Sequence, residues 1–212
     1  MSTLYPKISS PFKRFTEGPK RNKLDLETWA RPEFELLAFH DWTWTEKVDG
    51  TNVRVIWDGH RVTFGGRTDN AQMQTTLLKV LGDLFPEELL EQQFGANAAV
   101  LYGEGYGAKI QKGGGNYRQD QGFVLFDVKV GNWWLLPESV AEVGDGLKLD
   151  VVPTQGVASV WKAIQQVENG LKSQWGDFPA EGLVGRPPLG IVARDGDRLL
   201  LKVKRADFFE ST

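Results

Sequence analysis

The sequence predicts an α+β fold in which antiparallel sheets are flanked by short helices. Several short apolar or alternating runs are typical of strands, and the dipeptides Asp58-Gly59 and Asp195-Gly196 favour tight hairpins. Two longer segments, 77–94 and 137–170, show apolar residues at helical spacing instead. Because hairpins join antiparallel neighbours, sheets of this kind with a few added helices are expected.

The first half of the chain is predicted to begin as a loop and then to alternate strands with helices. Residues 1–23 contain three prolines and a glycine, which break any regular period. Pro86 is expected to divide the apolar stripe of 77–94 into two helices. The predicted strands of this half are 42–47, 52–58, 61–66 and 98–103.

The second half is predicted to return to strands after a mainly helical segment. The apolar run 122–130 is followed by Gly131-Asn132 and two tryptophans, which favours a hairpin. Within 137–170, one helical stripe is expected to pack in the core: Val157, Val160, Trp161, Ile164 and Val167. The remaining predicted strands are 181–186, 190–194 and 198–204.

Composition narrows the class of protein. With 212 residues, 41% hydrophobic and 25% charged, one globular domain over 1–212 is expected. The absence of cysteine excludes disulfides and thiolate sites, and His40 and His60 are not at a metal-binding spacing. No apolar run is long enough to cross a bilayer and no signal sequence is recognisable, so a cytoplasmic protein without membrane contact is expected.

Charge is unevenly distributed along the chain. The net charge of −3 argues against a protein that coats nucleic acid. However, Lys7 to Lys23 holds six basic residues and one acid, and Arg194 to Arg205 holds five basic residues and two acids. Each cluster is either a local phosphate-binding patch or a solvated face, and 1–23 is treated as a basic arm.

One hexapeptide, residues 47–52, contains a candidate nucleophile. Lys47 is followed by acid, glycine and amide residues between two predicted strands. An ordinary lysine amine has a pKa near ~10.4 and is protonated at neutral pH, so attack requires nearby cations or desolvation. The alternative is a surface lysine before an Asp-Gly turn.

Five further signals follow this lysine in order, each with a structural explanation when taken alone. A pair of lysines two residues apart, for example, shares one face of a strand whether or not it acts on a ligand. The five are Arg67 just past a strand, Glu104 among glycines, the pair Phe126-Asp127, Glu181 before a glycine, and the pair Lys202 and Lys204.

Together these motifs resemble the covalent nucleotidyltransferase superfamily of ATP-dependent polynucleotide ligases and messenger-RNA capping enzymes. The chain is most similar to the RNA ligase 2 type, which includes the phage double-strand RNA ligase and the trypanosome editing ligases. Glu46 directly precedes the lysine, Asn52 follows at the family spacing, and Arg67 comes twenty residues after the lysine. The resemblance covers 44–204. It implies a single nucleotidyltransferase (adenylyltransferase) domain of the ATP-grasp-like kind.

The resemblance also implies a three-step reaction. Lys47 would attack the α-phosphate of ATP and expel pyrophosphate, leaving a lysyl-AMP adduct. The AMP would pass to an RNA 5′-phosphate, and an RNA 3′-hydroxyl would then displace it. Lys202 and Lys204, with Mg²⁺ or Mn²⁺, would neutralise the charge on phosphorus.

Further roles carry over from the family by position. Glu104 would accept from the ribose hydroxyls, Phe126 would stack on the adenine, and Glu46 would lie at the adenine edge beside Asn52. Arg67 would bind a phosphate of the nucleotide or of the acceptor, and Glu181 would hold the metal through water. Asp49 would either support the metal shell or fix its own turn. Asp127 would either support the site or form hydrogen bonds at its own strand end.

Three functions are compatible with these motifs: an ATP-dependent RNA ligase acting at nicks, a compact DNA ligase or GTP-using capping enzyme, and a silent nucleotide- or RNA-binding module. The expected partners are ATP and RNA with 5′-phosphate and 3′-hydroxyl ends. Because the chain ends eight residues after Lys204, no C-terminal OB-fold or helical domain is expected. The chain would then use the basic arm to hold nucleic acid, would seal only favourable ends, or would need an accessory protein.

Overall fold

The computed structural model describes residues 3–209, and most strands in this range pair in antiparallel fashion. The strands are β1 (Phe12–Arg14), β2 (Leu24–Trp29), β3 (Trp42–Glu46), β4 (Thr51–Trp57), β5 (Val62–Gly65), β6 (Ala99–Gly107), β7 (Gln121–Val130), β8 (Trp133–Trp134), β9 (Asp150–Val151), β10 (Thr154–Ala158), β11 (Gly182–Arg186) and β12 (Leu201–Lys204). The α-helices are α1 (Pro32–Leu36), α2 (Thr75–Leu84), α3 (Glu87–Phe94), α4 (Pro137–Leu147) and α5 (Val160–Glu168). Short 3-10 helices cover Gly114–Asn116, Pro188–Gly190 and Arg205–Asp207. None of the helices in the described range is long and apolar enough to cross a membrane.

The described chain forms two compact units, each with its own apolar core. The first unit contains residues 3–5 and Asp49–Val152, and the second contains Pro6–Val48 and 153–209. The α+β class with antiparallel sheets is confirmed. The prediction of one domain over 1–212 stays a prediction, and its first two and last three residues lie outside the described range.

A six-stranded sheet forms the first unit. Its order is β5-β4-β6-β7-β8, and β9 pairs with β7 in parallel. Alternation along the strands sends Val53, Val55, Leu101 and Leu125 into a core with apolar residues of α2, α3 and α4. The opposite face of β4, β6 and β7 carries the polar residues described below.

A four-stranded sheet in the order β10-β3-β11-β12 forms the centre of the second unit. Trp42 and Trp44 of β3 and Leu183 of β11 pack in one cluster with Ile164 and Val167 of α5. The β1–β2 hairpin contributes Phe12 and Leu24 to the same cluster. The inner face of the sheet is therefore apolar, which leaves the outer face for charged side chains.

Most predicted elements are confirmed with shifts of a few residues at their ends. The strands predicted over 42–66 correspond to β3, β4 and β5, and Asp58-Gly59 joins the last two. The stripe of 77–94 divides at Pro86 into α2 and α3. The strand predicted at 98–103 extends to Gly107, because its far end pairs with β7 along its whole length.

Four predictions were wrong in part. The segment 137–170 contains β9 and β10 between its two helices, since Gly156 adopts φ +114°, which no α-helix accommodates. Val157 and Trp161 are 61% and 41% exposed, so the core stripe is limited to the other three residues. The strand predicted at 190–194 is reduced to one bridge between Val192 and Arg198, and the loop predicted for 1–23 includes β1.

Gly103 provides a test of packing in the first unit. A Cβ at this position would overlap the Phe123 ring and the Val124 carbonyl, whereas a Cβ at Gly82 in α2 would meet no atom within 4 Å. Gly103→Ala should therefore lower the free energy of unfolding by about 1–3 kcal/mol. The matched control Gly82→Ala should raise it by roughly 0.5–1 kcal/mol through helix propensity. Urea unfolding checks both values, and equal stabilities for the two variants would contradict this account of Gly103.

Candidate active site

A shared carboxylate holds two lysines together in the second unit. Lys47 follows β3, and its Nζ lies 2.6 Å from Oε2 of Glu181. Oε1 of the same carboxylate lies 2.9 Å from Nζ of Lys204. The Lys47 amide donates to the Gly182 carbonyl at 2.9 Å, and the Arg205 amide donates to the Glu181 carbonyl at 2.8 Å. Main-chain bonds on both sides therefore fix the carboxylate that joins the two ammonium groups.

Strand register explains why Lys202 and Lys204 share a face of the four-stranded sheet. Val184 of β11 is opposite both Thr45 of β3 and Lys202 of β12, and Gly182 is opposite Lys204. Side chains alternate along each strand, so both lysines of β12 extend from the face opposite the buried Val203. The prediction that Lys202 and Lys204 lie on one face is confirmed.

Glu46 is on the other face of β3 from Lys47. It is 1% exposed, and its carboxylate accepts from Ser173 Oγ at 2.6 Å, the Gln174 amide at 2.8 Å and Gln155 Nε2 at 3.1 Å. A buried carboxylate needs such donors, because an unpaired buried charge is strongly unfavourable. Glu46 thus anchors the 173–174 loop, a function that its position before the lysine did not predict.

In the first unit, Asn52 and Glu104 are opposite each other on β4 and β6. Oδ1 of Asn52 is buried and has no hydrogen-bond partner among residues 3–209. A buried oxygen without a donor costs on the order of 1–3 kcal/mol, so this atom fits a ligand that brings a donor. Gly50 approaches the same place: its Cβ would overlap the Gly105 carbonyl oxygen and lie 2.7 Å from Glu104 Cγ.

A β-bulge sets the direction of Phe126. Tyr102 pairs with Asp127 but Gly103 pairs with Leu125, so Phe126 is the extra residue of β7. The half-buried Phe126 ring meets the Tyr5 ring edge-on at 5.1 Å, and the Tyr5 hydroxyl donates to Asp127 Oδ2 at 2.8 Å. Asp127, left open between site support and strand support, therefore fixes the N-terminal segment of the first unit.

Arg54 is a fully buried cation that the sequence motifs did not identify. Its guanidinium donates to the Gly66 carbonyl at 2.7 Å, to Asp69 Oδ1 at 2.9 Å and to Thr3 Oγ1 at 2.7 Å. The loop that it holds carries the exposed Arg67. The available signal was a single cation within the apolar pattern of β4, on the same face as Asn52.

The glycine-rich loop after β6 is attached to the lysine hexapeptide through the first unit. Gln111 Nε2 donates to the Gly50 carbonyl at 3.0 Å, and the Asp49 amide donates to the Tyr117 hydroxyl at 3.3 Å. At the base of the loop, the Asp120 carboxylate raises the pKa of Arg118 by a two-point hydrogen bond. The loop is thus tethered at several points.

No preformed metal cage exists in the described part of the chain. Within residues 3–209, no group of three or more His, Cys, Asp or Glu side chains is arranged to hold a metal ion. Glu181 binds the two lysines in this structure, and Asp49 lies in the first unit, where its amide contacts Tyr117. Mg²⁺ often uses one or two carboxylates together with substrate phosphates, so Glu181 fits such a role when phosphates are bound.

The family comparison matches the segment of the chain that contains these motifs. The family model described as RNA ligase matches residues 40–204. A comparison with curated proteins gives no match.

Solved structures of a Naegleria gruberi RNA ligase are similar in fold. A lysine-to-alanine mutant with ATP and Mn is 19% identical with a TM-score of 0.65, covering 95% of this chain and 61% of that chain. The structure with PPi is 19% identical with a TM-score of 0.64, covering 96% and 60%. A glutamate-to-alanine mutant with AMP and Mn is 18% identical with a TM-score of 0.65, covering 94% and 61%. The chain thus spans about three fifths of these structures, and the nucleotidyltransferase-type fold predicted for it is confirmed.

Glu46→Gln tests whether this carboxylate supports the second unit. The change keeps the shape but replaces one acceptor oxygen with an NH2 group that faces existing donors. The free energy of unfolding should fall by about 1–3 kcal/mol. Ser173→Ala removes one of the three donors and should cost less, about 1 kcal/mol. Denaturant titration of both variants measures the difference, and an unchanged stability of Glu46→Gln would show that the carboxylate has no structural role.

Proposed function

Because this chain belongs to the RNA ligase family, we propose that it is an ATP-dependent RNA ligase that joins 3′-hydroxyl and 5′-phosphate ends through a lysyl-AMP intermediate. The main support is the Glu181 carboxylate that joins Lys47 and Lys204. It places an amine, an acid and a second cation on one face of the sheet, where an anionic phosphate would bind. A nucleotide-binding module without chemistry would not require this amine.

We further propose ATP as the nucleotide and Mg²⁺ or Mn²⁺ as the metal. The structures of the Naegleria gruberi ligase contain ATP with Mn, AMP with Mn, and PPi, which are the substrate, the transferred group and the leaving group of such a reaction. A bound divalent ion would supply positive charge at the phosphate oxygens. Glu181 is the proposed protein ligand, through water, and Asp49 is a proposed outer contact.

In the first step, the Lys47 amine attacks the α-phosphorus, an N–P bond forms, and the bond to the bridging oxygen of pyrophosphate breaks. Lys47 is paired with Glu181 in this structure, and a lysine side chain must give up a proton to solvent before its nitrogen can attack. Glu181 orients the nitrogen at 2.6 Å, and bound phosphates would compete with this carboxylate for the ammonium group. Orientation of this kind is the main contribution that a protein makes to phosphoryl transfer.

Lys202 and Lys204 are proposed to neutralise charge that develops on the α-phosphate. Lys204 is already tied to the site through Glu181, whereas Lys202 is one alternation earlier on the same strand face. Fixed cations are more effective than mobile ones, because they need no reorganisation during the reaction.

For the first unit, we propose nucleotide-binding roles. Phe126 would stack on the adenine with its ring direction fixed by the bulge, and Glu104 would accept from the ribose hydroxyls. The unpaired Oδ1 of Asn52 would accept a donor from the same ligand. The exposed Arg67 would bind a phosphate, and Arg54 would position its loop.

Transfer of label from ATP tests the first step. Wild-type protein with Mg²⁺ should retain ³²P after denaturation when the label is in the α-position, but not when it is in the γ-position. Lys47→Ala and the charge-matched Lys47→Arg should both show no label, since neither offers a lysine amine. EDTA should abolish labelling. Label on either variant would contradict the assignment of Lys47, and preference for α-labelled GTP would support the capping-enzyme alternative.

Sealing of nicked duplexes tests the later steps. Protein that carries labelled AMP should lose it to an RNA nick with a 5′-phosphate and join the strands, whereas a 5′-hydroxyl nick should leave the label in place. Faster sealing of an all-DNA nick would favour the DNA-ligase alternative. Complete sealing by the purified chain would show that no accessory protein is required.

A further inference from the structure

A cationic groove of about 300 Å³ lies in the second unit beside β12. We propose that it binds phosphates of the RNA strand, an inference that rests on the proposed function and adds a substrate-binding surface to it. Among the described residues, nine line the groove, of which four are cations and none is an acid. The polar residues that line it are Lys7, Ser9, Ser10, Arg14, Lys202 and Lys204.

Main-chain pairing builds the groove. The Lys202 amide donates to the Ser9 carbonyl at 2.9 Å, and Ser9 forms a parallel bridge with Leu201. The N-terminal segment therefore runs alongside β12, the outermost strand of the four-stranded sheet. This pairing brings Lys7, from the basic arm, into one groove with Lys202, from the second basic cluster of the sequence.

The Arg14 side chain lines the groove and is held in place by several hydrogen bonds. Its guanidinium donates to both oxygens of Asp207 at 2.8 Å, to the Asn22 carbonyl at 2.7 Å and to Ser10 Oγ at 3.2 Å. Asp207 offsets the charge of Arg14. Glu181 in turn is shared between Lys204 and Lys47. The exposed Lys7 adds a further positive charge to the groove, and Lys202 also lines it.

The position and form of the groove favour a polynucleotide. Lys204 lines the groove and also binds Glu181, the carboxylate that holds Lys47. An anion in the groove could therefore contact the same lysine that binds Glu181. The groove is open rather than enclosed, which suits a backbone that continues past it. Pyrophosphate offers the same phosphoryl oxygens, and the two sources are distinguishable by experiment.

Lys7→Glu is the principal variant, and Lys13→Glu is its matched control. Lys13 is an exposed residue of the same basic arm and does not line the groove. Its substitution by Glu changes the net charge by the same amount as Lys7→Glu. Binding of a fluorescent nicked RNA duplex should weaken roughly five- to tenfold for Lys7→Glu. The negative slope of log K against log salt should become shallower by about 1. Lys13→Glu should change neither quantity by more than about twofold, and Lys7→Ala should follow Lys7→Glu with a smaller loss.

Three results would overturn the proposal. Equal weakening by Lys7→Glu and Lys13→Glu would indicate general charge attraction, and unchanged affinity in both would exclude the groove from RNA binding. Slower pyrophosphate-driven loss of AMP from Lys7→Glu, with RNA affinity unchanged, would assign the groove to pyrophosphate. RNA binding is measured without ATP, so a wild-type chain that fails to label with AMP would refute the proposed function and not the groove.

Discussion

One carboxylate, Glu181, organises the charged face of the second unit. Without it, Lys47 and Lys204 would be two like charges on neighbouring positions of one face, and they would repel each other. With it, both ammonium groups are held in place with partial exposure to solvent, so the arrangement exists before any ligand binds. Under the proposed function, a carboxylate engaged with two lysines would have to exchange partners before it contacted a metal. Ligand binding and activation of the lysine would then be linked in a single group.

Buried charges in each unit hold nearby segments of the same unit in place. Glu46 holds the 173–174 loop, and Arg54 holds the loop of Arg67. Asp127 holds Tyr5. Each of these groups has several hydrogen bonds or a charged partner, which is the condition for keeping a charge in a protein interior. Residues next to a motif can therefore serve as its scaffold, and their substitution would affect stability and activity together.

Local signals in the sequence predicted much of the fold, whereas elements that depend on pairing between distant segments could not be predicted. Asp58-Gly59 and Pro86 act on their own neighbours, so the hairpin and the helix boundary followed directly from them. By contrast, β10 exists because it pairs with β3, more than a hundred residues earlier in the chain, and no local period reveals that partner. Val157 was misplaced for this reason. The alternation of side chains along a strand predicted the shared face of Lys202 and Lys204. The partners of Glu46 come from two distant segments and could not be predicted from spacing.

The division of the chain has a consequence for how the protein forms. The central strand of the second unit, β3, pairs with β10 and β11, yet about a hundred residues of the first unit are inserted before those partners. The Glu46 amide donates to the Pro153 carbonyl at 3.0 Å, so the ends of the insertion must meet for the sheet to close. Closing so long a connection as a flexible chain costs entropy and slows the search for contacts. Early folding of the insertion would shorten that connection, and the rate at which β3 finds its partners would then be governed by a segment that does not contain β3.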